Sequence, residues 1–262
     1  MLLGIDVGNT HTVAGVYQGD HLLHDWRVST VRSATVDELA AQLDQILQLR
    51  GGNLTDIRHM VVASVVPTLT AGYQELSEKY VDTPALVVGP GIRTGMSLAI
   101  DNPHELGADR LVNAVAAFRR YGRPCIVVDF GTATTFDCVS ARGEYLGGAI
   151  APGIETSLDA LTSRAARLLK VDLHTPGRAV GKSTVESLQS GVVYGTVAMV
   201  DGLVARLAEE LGEDVAVIAT GGLAGLITPL SEEIDEYDPL LTLEGLRIIH
   251  GLNVPADERA NA

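Results

Sequence analysis

One short pattern occurs twice in this chain and constrains its fold more than any other feature. An apolar run ends in Asp-x-Gly at Ile5–Gly8 and again at Val128–Gly131, 123 residues further along. The same spacing aligns Thr12 with Thr135. Chance recurrence in an α/β protein is one explanation. Because the spacing is close to half of the 262 residues, we favour an internal duplication, in which two related domains each present an Asp-x-Gly hairpin.

Strands and helices are predicted to alternate through both halves of the chain. In the first half, a capping box at Thr35–Glu38 opens a helix, and strands are expected at residues 2–7, 12–17, 60–66 and 85–88. In the second half, a helix is expected at residues 109–121, with strands at 125–129 and 134–139. This alternation is typical of an α/β fold. We therefore predict two α/β domains, at residues 1–108 and 109–262.

Composition excludes several classes of protein. The chain has 19 Lys plus Arg against 33 Asp plus Glu, a net charge of −14, and 46% of its residues are hydrophobic. That apolar content supports a core and excludes disorder for the bulk of the chain. The negative charge excludes a generally basic nucleic-acid binder. Cys125 and Cys138 lack zinc-ligand spacing, and we expect them to be buried thiols in a reducing cytoplasm.

A long apolar helix is predicted at residues 184–211. Its apolar residues step by four and three, as in a packed helix seam: Val193, Val197, Val200, Val204, Leu207 and Leu211. A core helix and a subunit interface both fit this pattern. Asp201 and Arg206 argue against a membrane span, and neither a membrane helix nor a secretion signal is expected.

The first Asp-x-Gly turn, Asp6–Thr10, has the chemistry of a phosphate site. Its glycine lets the backbone approach a ligand, its turn amides can cradle phosphate, and a carboxylate at a strand end can hold Mg²⁺. An ordinary hairpin turn with a structural aspartate is the alternative. Together with Asp129–Thr132 in the other half, it predicts two hairpins that grip a nucleotide polyphosphate.

Two further stretches suggest binding of other groups. Ala219–Leu223 follows an apolar strand and offers glycine backbone to a flat ligand such as adenosine, although for this stretch alone we favour a tight strand-to-helix turn. Gly107–Arg110 stands at a predicted helix start. Asp109 there is either a helix cap or a base that accepts a proton from a hydroxyl. The helix dipole is expected to favour its ionised form.

Taken together, these motifs resemble the type III pantothenate kinases of bacteria. The matching stretches keep the order and spacing of that family, and they are Gly4–Thr10, Ser64–Pro67, Asn102–Arg110, Val128–Thr134, Gly147–Gly153, Gly181–Thr184, Gln189–Gly191 and Ala219–Gly222. The resemblance implies two duplicated ribonuclease-H-like domains, as in actin-like ATPases, with the active site in the cleft between them. It also implies transfer of the γ-phosphoryl group of ATP to pantothenate, which gives 4'-phosphopantothenate in the first step of coenzyme A synthesis.

The resemblance also implies cofactors, a partner and a location. Mg²⁺ and a monovalent cation, K⁺ or NH₄⁺, are expected as cofactors. A homodimer in the cytoplasm, with no nucleic-acid or membrane partner, is the expected assembly, and the helix at residues 184–211 is expected to form its interface.

Roles for individual residues follow from the resemblance. ATP is expected to contact Asp6, Val7, Gly8, Asn9, Thr10, His11, Thr12, Val13, Thr132, Gly221 and Gly222. Pantothenate is expected to contact Gly107, Ala108, Asp109, Arg110 and Thr184, with Asp109 as the catalytic base. Asp6 is expected to hold Mg²⁺ and Asp129 the monovalent cation.

One position departs from the family pattern. Ile100 stands where an aromatic residue is usual, which puts one substrate contact in doubt. Two other activities fit the fold: a non-catalytic nucleotide-binding relative that acts as a regulator, and an actin-like ATPase. The retained Asp6, Asp109 and Asp129 argue against the first, and Gly107–Arg110 argues against the second.

Overall fold

The computed structural model describes residues 1–164, 171–212 and 214–255, which form two compact units. The first unit comprises Met1–Ser97, Asp101–Ala116 and the segment that begins at Leu241. The second comprises Leu98–Ile100 and Ala117–Leu240. This division differs from the predicted boundary at 108/109, because the C-terminal helix and the whole segment Asp101–Ala116 pack with the first unit. The last seven residues of the predicted second domain lie outside the described residues.

Eleven strands and seven α-helices are present among the described residues. In chain order they are β1 (Leu2–Val7), β2 (His11–Gln18), β3 (His21–Ser29), α1 (Val36–Leu49), β4 (His59–Ser64), α2 (Pro67–Leu76), β5 (Leu86–Val87), β6 (Ser97–Leu98), α3 (Ala108–Tyr121), β7 (Cys125–Phe130), β8 (Ala133–Val139), β9 (Glu144–Pro152), α4 (Ile154–Arg164), α5 (Thr184–Leu211), β10 (Ala216–Thr220), α6 (Ala224–Ile227), β11 (Glu236–Tyr237) and α7 (Leu241–Asn253). Short 3₁₀ turns lie at Leu54–Asp56, Pro103–Glu105 and Thr228–Leu230, and a π-helical turn lies at Ser77–Val81. The predicted α/β class is confirmed.

Each unit is built on one mixed sheet, and the two sheets share a strand order. The first sheet runs β3-β2-β1-β4-β5, and the second contains β9-β8-β7-β10-β11 with β6 at its edge. In both, the first hairpin is antiparallel, and the strand carrying Asp-x-Gly pairs in parallel with the next strand of its sheet. Asp6 lies opposite Ala63 in the first sheet, and Asp129 lies opposite Thr220 in the second. Equivalent strand ends therefore carry the two aspartates.

The first core forms because β1 and β4 are apolar on both faces, as strands of a covered sheet must be. Leu3, Ile5 and Val7 of β1 are fully buried. Helix α1 begins at the predicted capping box, in which the Thr35 hydroxyl accepts from Glu38 N–H and the Glu38 carboxylate accepts from Thr35 N–H. Its buried leucines then pack in the core with those of α2.

Helix α7 covers the other side of this sheet. A Cβ built at Gly15 of β2 would lie 2.8 Å from Leu243 Cδ1, and one built at Gly4 of β1 would lie 3.6 Å from Leu246 Cβ. The small residues on the strands thus let α7 approach closely, which explains why the end of the chain belongs to the first unit.

The second core lies between the second sheet and α5. Val193, Val200 and Val204 of α5 are fully buried in a cluster with Ile126 and Phe136 of the sheet. The helix has the predicted bounds, and Ser183 caps it by accepting from Glu186 N–H. By length and composition α5 could cross a membrane, and 17% of its most apolar stretch is buried.

Candidate functional site

The turn Gly8–Thr10 joins β1 to β2 and begins two residues after Asp6, and we call it the phosphate turn. Gly8 N–H donates to the His11 carbonyl over 3.0 Å and closes the hairpin. A Cβ built at Gly8 would lie 2.8 Å from that carbonyl oxygen, so the turn requires glycine. Asn9 and Thr10 are exposed and Asp6 is half-buried. The turn therefore presents polar groups beside a strand-end carboxylate, as the sequence predicted.

Two residues of the loop that follows β3, Thr30 and Arg32, hold this turn in place. No sequence motif predicted either of them. Thr30 Oγ1 donates to the Gly8 carbonyl over 2.8 Å, and Thr30 N–H donates to the Thr10 carbonyl over 2.9 Å. Arg32 Nη2 donates to Asn9 Oδ1 over 2.8 Å. The sequence around them, Arg27–Ser33, alternates polar residues with valines and has no spacing relation to the turn.

The predicted ATP residues around this turn differ in how far their side chains are exposed. The Val7 side chain is fully buried, so its backbone alone is available to a ligand. Thr12 is 4% exposed and its hydroxyl lies 2.9 Å from that of Thr30. His11 is exposed and Val13 is half-buried.

Gly107, the loop residue just before α3, lies at the same end of the first unit as the phosphate turn. Val65, directly after β4, donates its N–H to the Val7 carbonyl over 3.1 Å. A Cβ built at Gly107 would lie 3.8 Å from Val65 Cγ1, so the loop backbone packs on that residue. The same Cβ would lie 2.5 Å from Asp109 Oδ1. Glycine at 107 therefore leaves room for the Asp109 carboxylate to turn back over the loop.

Asp109 lies in the first turn of α3 and is half-buried. Its Oδ1 accepts from Arg110 N–H over 2.9 Å, a cap-like contact. Burial raises the pKa of the Asp109 carboxyl, and this outweighs the lowering by the Arg110 N–H and by the Arg110 charge. The N–H groups at the start of the helix do favour the ionised form of Asp109, as expected, but burial outweighs them, and the sequence did not reveal that burial. A raised pKa makes Asp109 a better base. Ala108 and Arg110 flank it and are half-buried.

The second unit has its own polar cluster, built around Asp129 at the end of β7. Gly221, after β10, has φ +93°, and a Cβ built on it would lie 2.4 Å from Asp129 Oδ1 and 2.7 Å from Phe130 N. The carboxylate is therefore packed against glycine backbone. The neighbouring Gly222 is exposed.

The turn after Asp129 is equally crowded. A Cβ built at Gly153 would lie 2.4 Å from both the Gly131 and the Thr132 carbonyl oxygens. Gly153 N–H donates to the Thr132 carbonyl over 3.2 Å, and Thr156 Oγ1 donates to it over 2.7 Å. The Thr132 side chain stays exposed. The predicted ATP residue Thr132 is thus positioned by Gly153 and Thr156, to which the sequence motifs gave no role.

Thr184 is the first residue of α5 and is exposed. One turn further on, Ser187, Leu188 and Gly191 line a cavity of about 390 Å³ that reaches Pro152, the residue before Gly153. The cavity thus extends from the start of α5 toward the turn that contains Thr132. Ile100 lies in the second unit, 3.6 Å from a Cβ built at Gly147.

The resemblance implies two cations, Mg²⁺ and either K⁺ or NH₄⁺, which need oxygen ligands from the protein. Among residues 1–164, 171–212 and 214–255, no group of three or more His, Cys, Asp or Glu side chains could hold a metal ion. Mg²⁺ in kinases is held by one or two carboxylates together with substrate phosphates, so Asp6 beside the phosphate turn fits it. For a monovalent cation, the Asp129 carboxylate against glycine backbone supplies oxygen donors at a strand end.

Two solved structures superpose on this chain over most of their length. A Sinorhizobium meliloti structure provisionally named 2-dehydro-3-deoxygalactonokinase superposes with a TM-score of 0.62 at 12% identity, covering 95% of this chain and 96% of its own. An ethanolamine utilization protein, EutJ, from Carboxydothermus hydrogenoformans gives 0.56 at 15% identity, covering 94% and 89%. At such identities the likeness establishes the fold alone, an α/β fold that this chain shares with both proteins.

The family follows from closer comparisons. The family model for type III pantothenate kinase matches residues 2–206. The type III pantothenate kinase of Moorella thermoacetica is 52% identical over 253 residues, 97% of this chain and 100% of the relative. That of Geotalea daltonii is 53% identical, over 97% and 99%. The chain therefore belongs to the type III pantothenate kinase family and is a phosphotransferase, as its motifs predicted.

Proposed function

We propose that this protein transfers the γ-phosphoryl group of ATP to the hydroxyl of pantothenate, the first step of coenzyme A synthesis. Family membership supports this reaction. The observation that carries it is the run of contacts from Val7, the residue before the phosphate turn, through Val65 to Gly107. The half-buried Asp6 and Asp109 each lie within two residues of this run in the sequence. Phosphoryl transfer requires positioning and charge stabilisation more than covalent chemistry by the protein.

The first unit supplies the phosphate and acceptor contacts in this proposal. The turn amides of Gly8–Thr10 bind phosphate oxygens, and the Asp6 carboxylate holds Mg²⁺, which neutralises phosphate charge when it is bound. Gly107–Arg110 hold pantothenate, and Asp109 accepts the proton of its hydroxyl. The raised pKa of Asp109 supports this role, because a base is most efficient when its pKa approaches the working pH.

The second unit supplies the remaining contacts. Thr132 and the glycines 221 and 222 bind ATP, Asp129 holds K⁺ or NH₄⁺, and Thr184 contacts pantothenate. A cation at Asp129 is needed because an uncompensated carboxylate beside phosphate would repel it. The shared strand order of the two sheets supports duplicated ribonuclease-H-like domains, and we propose that ATP is bound in the cleft between them.

We further propose a cytoplasmic homodimer that is formed through α5. Gly191, Gly195 and Gly202 lie along one exposed stripe of this helix, and a Cβ built at any of them would meet nothing within 4 Å. A second copy of the helix could approach that stripe closely. Asp201 of α5 accepts from the Ser231 hydroxyl and from Glu232 N–H, which ties the helix to its own unit.

An ADP-release assay tests the proposed function. The purified protein with Mg-ATP should release ADP only when pantothenate is present, and release should require K⁺ or NH₄⁺. ADP release without pantothenate would instead indicate an ATPase. ATP binding with no release under any of these conditions would indicate a non-catalytic relative.

A further inference from the structure

One arginine of the first unit is anchored on the phosphate turn itself. Arg32 Nη2 donates to Asn9 Oδ1 over 2.8 Å, and the Arg32 side chain is exposed. No Asp or Glu of the described residues lies within ion-pair distance of Arg32, whereas Arg247 of the same unit pairs with Asp20 and Glu244. The guanidinium is thus held beside the turn with its charge uncompensated by a carboxylate.

The chemistry of this group suits a polyanion. A guanidinium carries five N–H donors in a planar fork that matches phosphate oxygens, and one of the five is used on Asn9. The chain as a whole carries a net charge of −14, which disfavours the approach of ATP. The guanidinium of Arg32, held at the phosphate turn, offsets that repulsion at the proposed phosphate site.

We propose that Arg32 is a nucleotide-binding residue whose guanidinium contacts the phosphates of ATP held at the phosphate turn, an assignment that rests on the proposed function of that turn. Asn9 fixes the guanidinium before ATP arrives, so that little side-chain freedom is lost on binding. Thr30, two residues earlier, fixes the backbone of the same turn through Gly8 and Thr10. The segment after β3 therefore completes the phosphate site.

The test is the affinity of purified variants for AMP, ADP and ATP with Mg²⁺, measured by calorimetry without pantothenate. Arg32→Gln should weaken ATP binding about tenfold to a hundredfold, weaken ADP less, and leave AMP within about twofold. Arg32→Lys, which keeps the charge but lacks the planar fork, should recover only part of the loss. Arg50→Gln is the matched control, because Arg50 is an exposed arginine at the end of α1, and it should bind like the wild type.

A purely structural role of Arg32 predicts a different result. If Arg32 only orients Asn9, Arg32→Lys should be as weak as Arg32→Gln, and the salt dependence of ATP affinity should stay unchanged. Direct phosphate contact instead predicts a shallower salt dependence in Arg32→Gln. The assignment is overturned if Arg32→Gln binds ATP as tightly as the wild type. It is also overturned if Arg32→Lys binds as weakly as Arg32→Gln and the salt dependence is unchanged. Because binding is measured without the acceptor, failure of pantothenate phosphorylation in the wild type is a separate result.

Discussion

Replacing Gly221 by alanine tests the packing that holds Asp129. The new Cβ would lie 2.4 Å from Asp129 Oδ1 and 2.7 Å from Phe130 N, and the residue has φ +93°. A left-handed backbone costs alanine about 1–2 kcal/mol. Forcing a methyl group into packed backbone costs about 1–3 kcal/mol more. We expect Gly221→Ala to lower the free energy of unfolding by about 2–5 kcal/mol.

Gly91 provides a matched control for the backbone contribution. Its φ is +89°, and a Cβ built on it would meet nothing within 4 Å. Gly91→Ala should therefore lose only about 1–2 kcal/mol. The difference between the two variants isolates the collision with Asp129 and Phe130.

Urea denaturation followed by circular dichroism measures both free energies, and ADP release with pantothenate measures activity. Gly221→Ala should lose activity under conditions in which it is still folded, because its methyl group displaces the Asp129 carboxylate. Equal loss of stability in the two variants would refute the argument that Gly221 is required by crowding. Full activity in a folded Gly221→Ala would show that the position of Asp129 is not critical.

The remaining predictions concern Asp109, the cation site and the assembly. Asp109→Asn should lower the catalytic rate by about 10²–10⁴-fold while ATP affinity changes little, and a folded variant that keeps more than about a tenth of wild-type turnover would contradict its role as base. Because burial raises the pKa of Asp109, the wild-type rate should fall as the pH drops through a value above the ordinary 3.8, and this acid limb should be absent in Asp109→Asn. Because the pKa of Asp109 is raised in the folded protein, its ionised carboxylate destabilises the fold at pH values above 3.8. Asp109→Asn should therefore not lower the urea midpoint at pH 7, and a clear decrease would argue against the burial effect. Activity should depend on K⁺ or NH₄⁺ and lose that dependence in Asp129→Asn, and equal wild-type rates with and without these ions would contradict the cation site. Light scattering at micromolar concentration should give twice the chain mass of 27.6 kDa, and Gly195→Arg should give a monomer, whereas a wild-type monomer would rule out the dimer.

Local sequence signals predicted many elements well. The bounds of α5 agree with the predicted helix at residues 184–211, and the capping box at Thr35 opens α1 as expected. The strand that carries Asp129 extends one residue beyond its predicted end, to Phe130. These features depend on residues within a few positions of one another, so a single stretch of sequence contains the information.

The sequence by itself determined the α/β class, the two Asp-x-Gly turns and the family, because periodicity, turn chemistry and motif spacing are properties of the chain order. Only the tertiary structure decided how those turns are held. Thr30 and Arg32 reach Gly8 and Asn9 from the loop that follows β3, and α7 joins the first unit more than 220 residues after β1. The raised pKa of Asp109 likewise arises from burial by other segments. Such contacts and desolvation depend on which surfaces meet in the folded chain, and no local pattern specifies that.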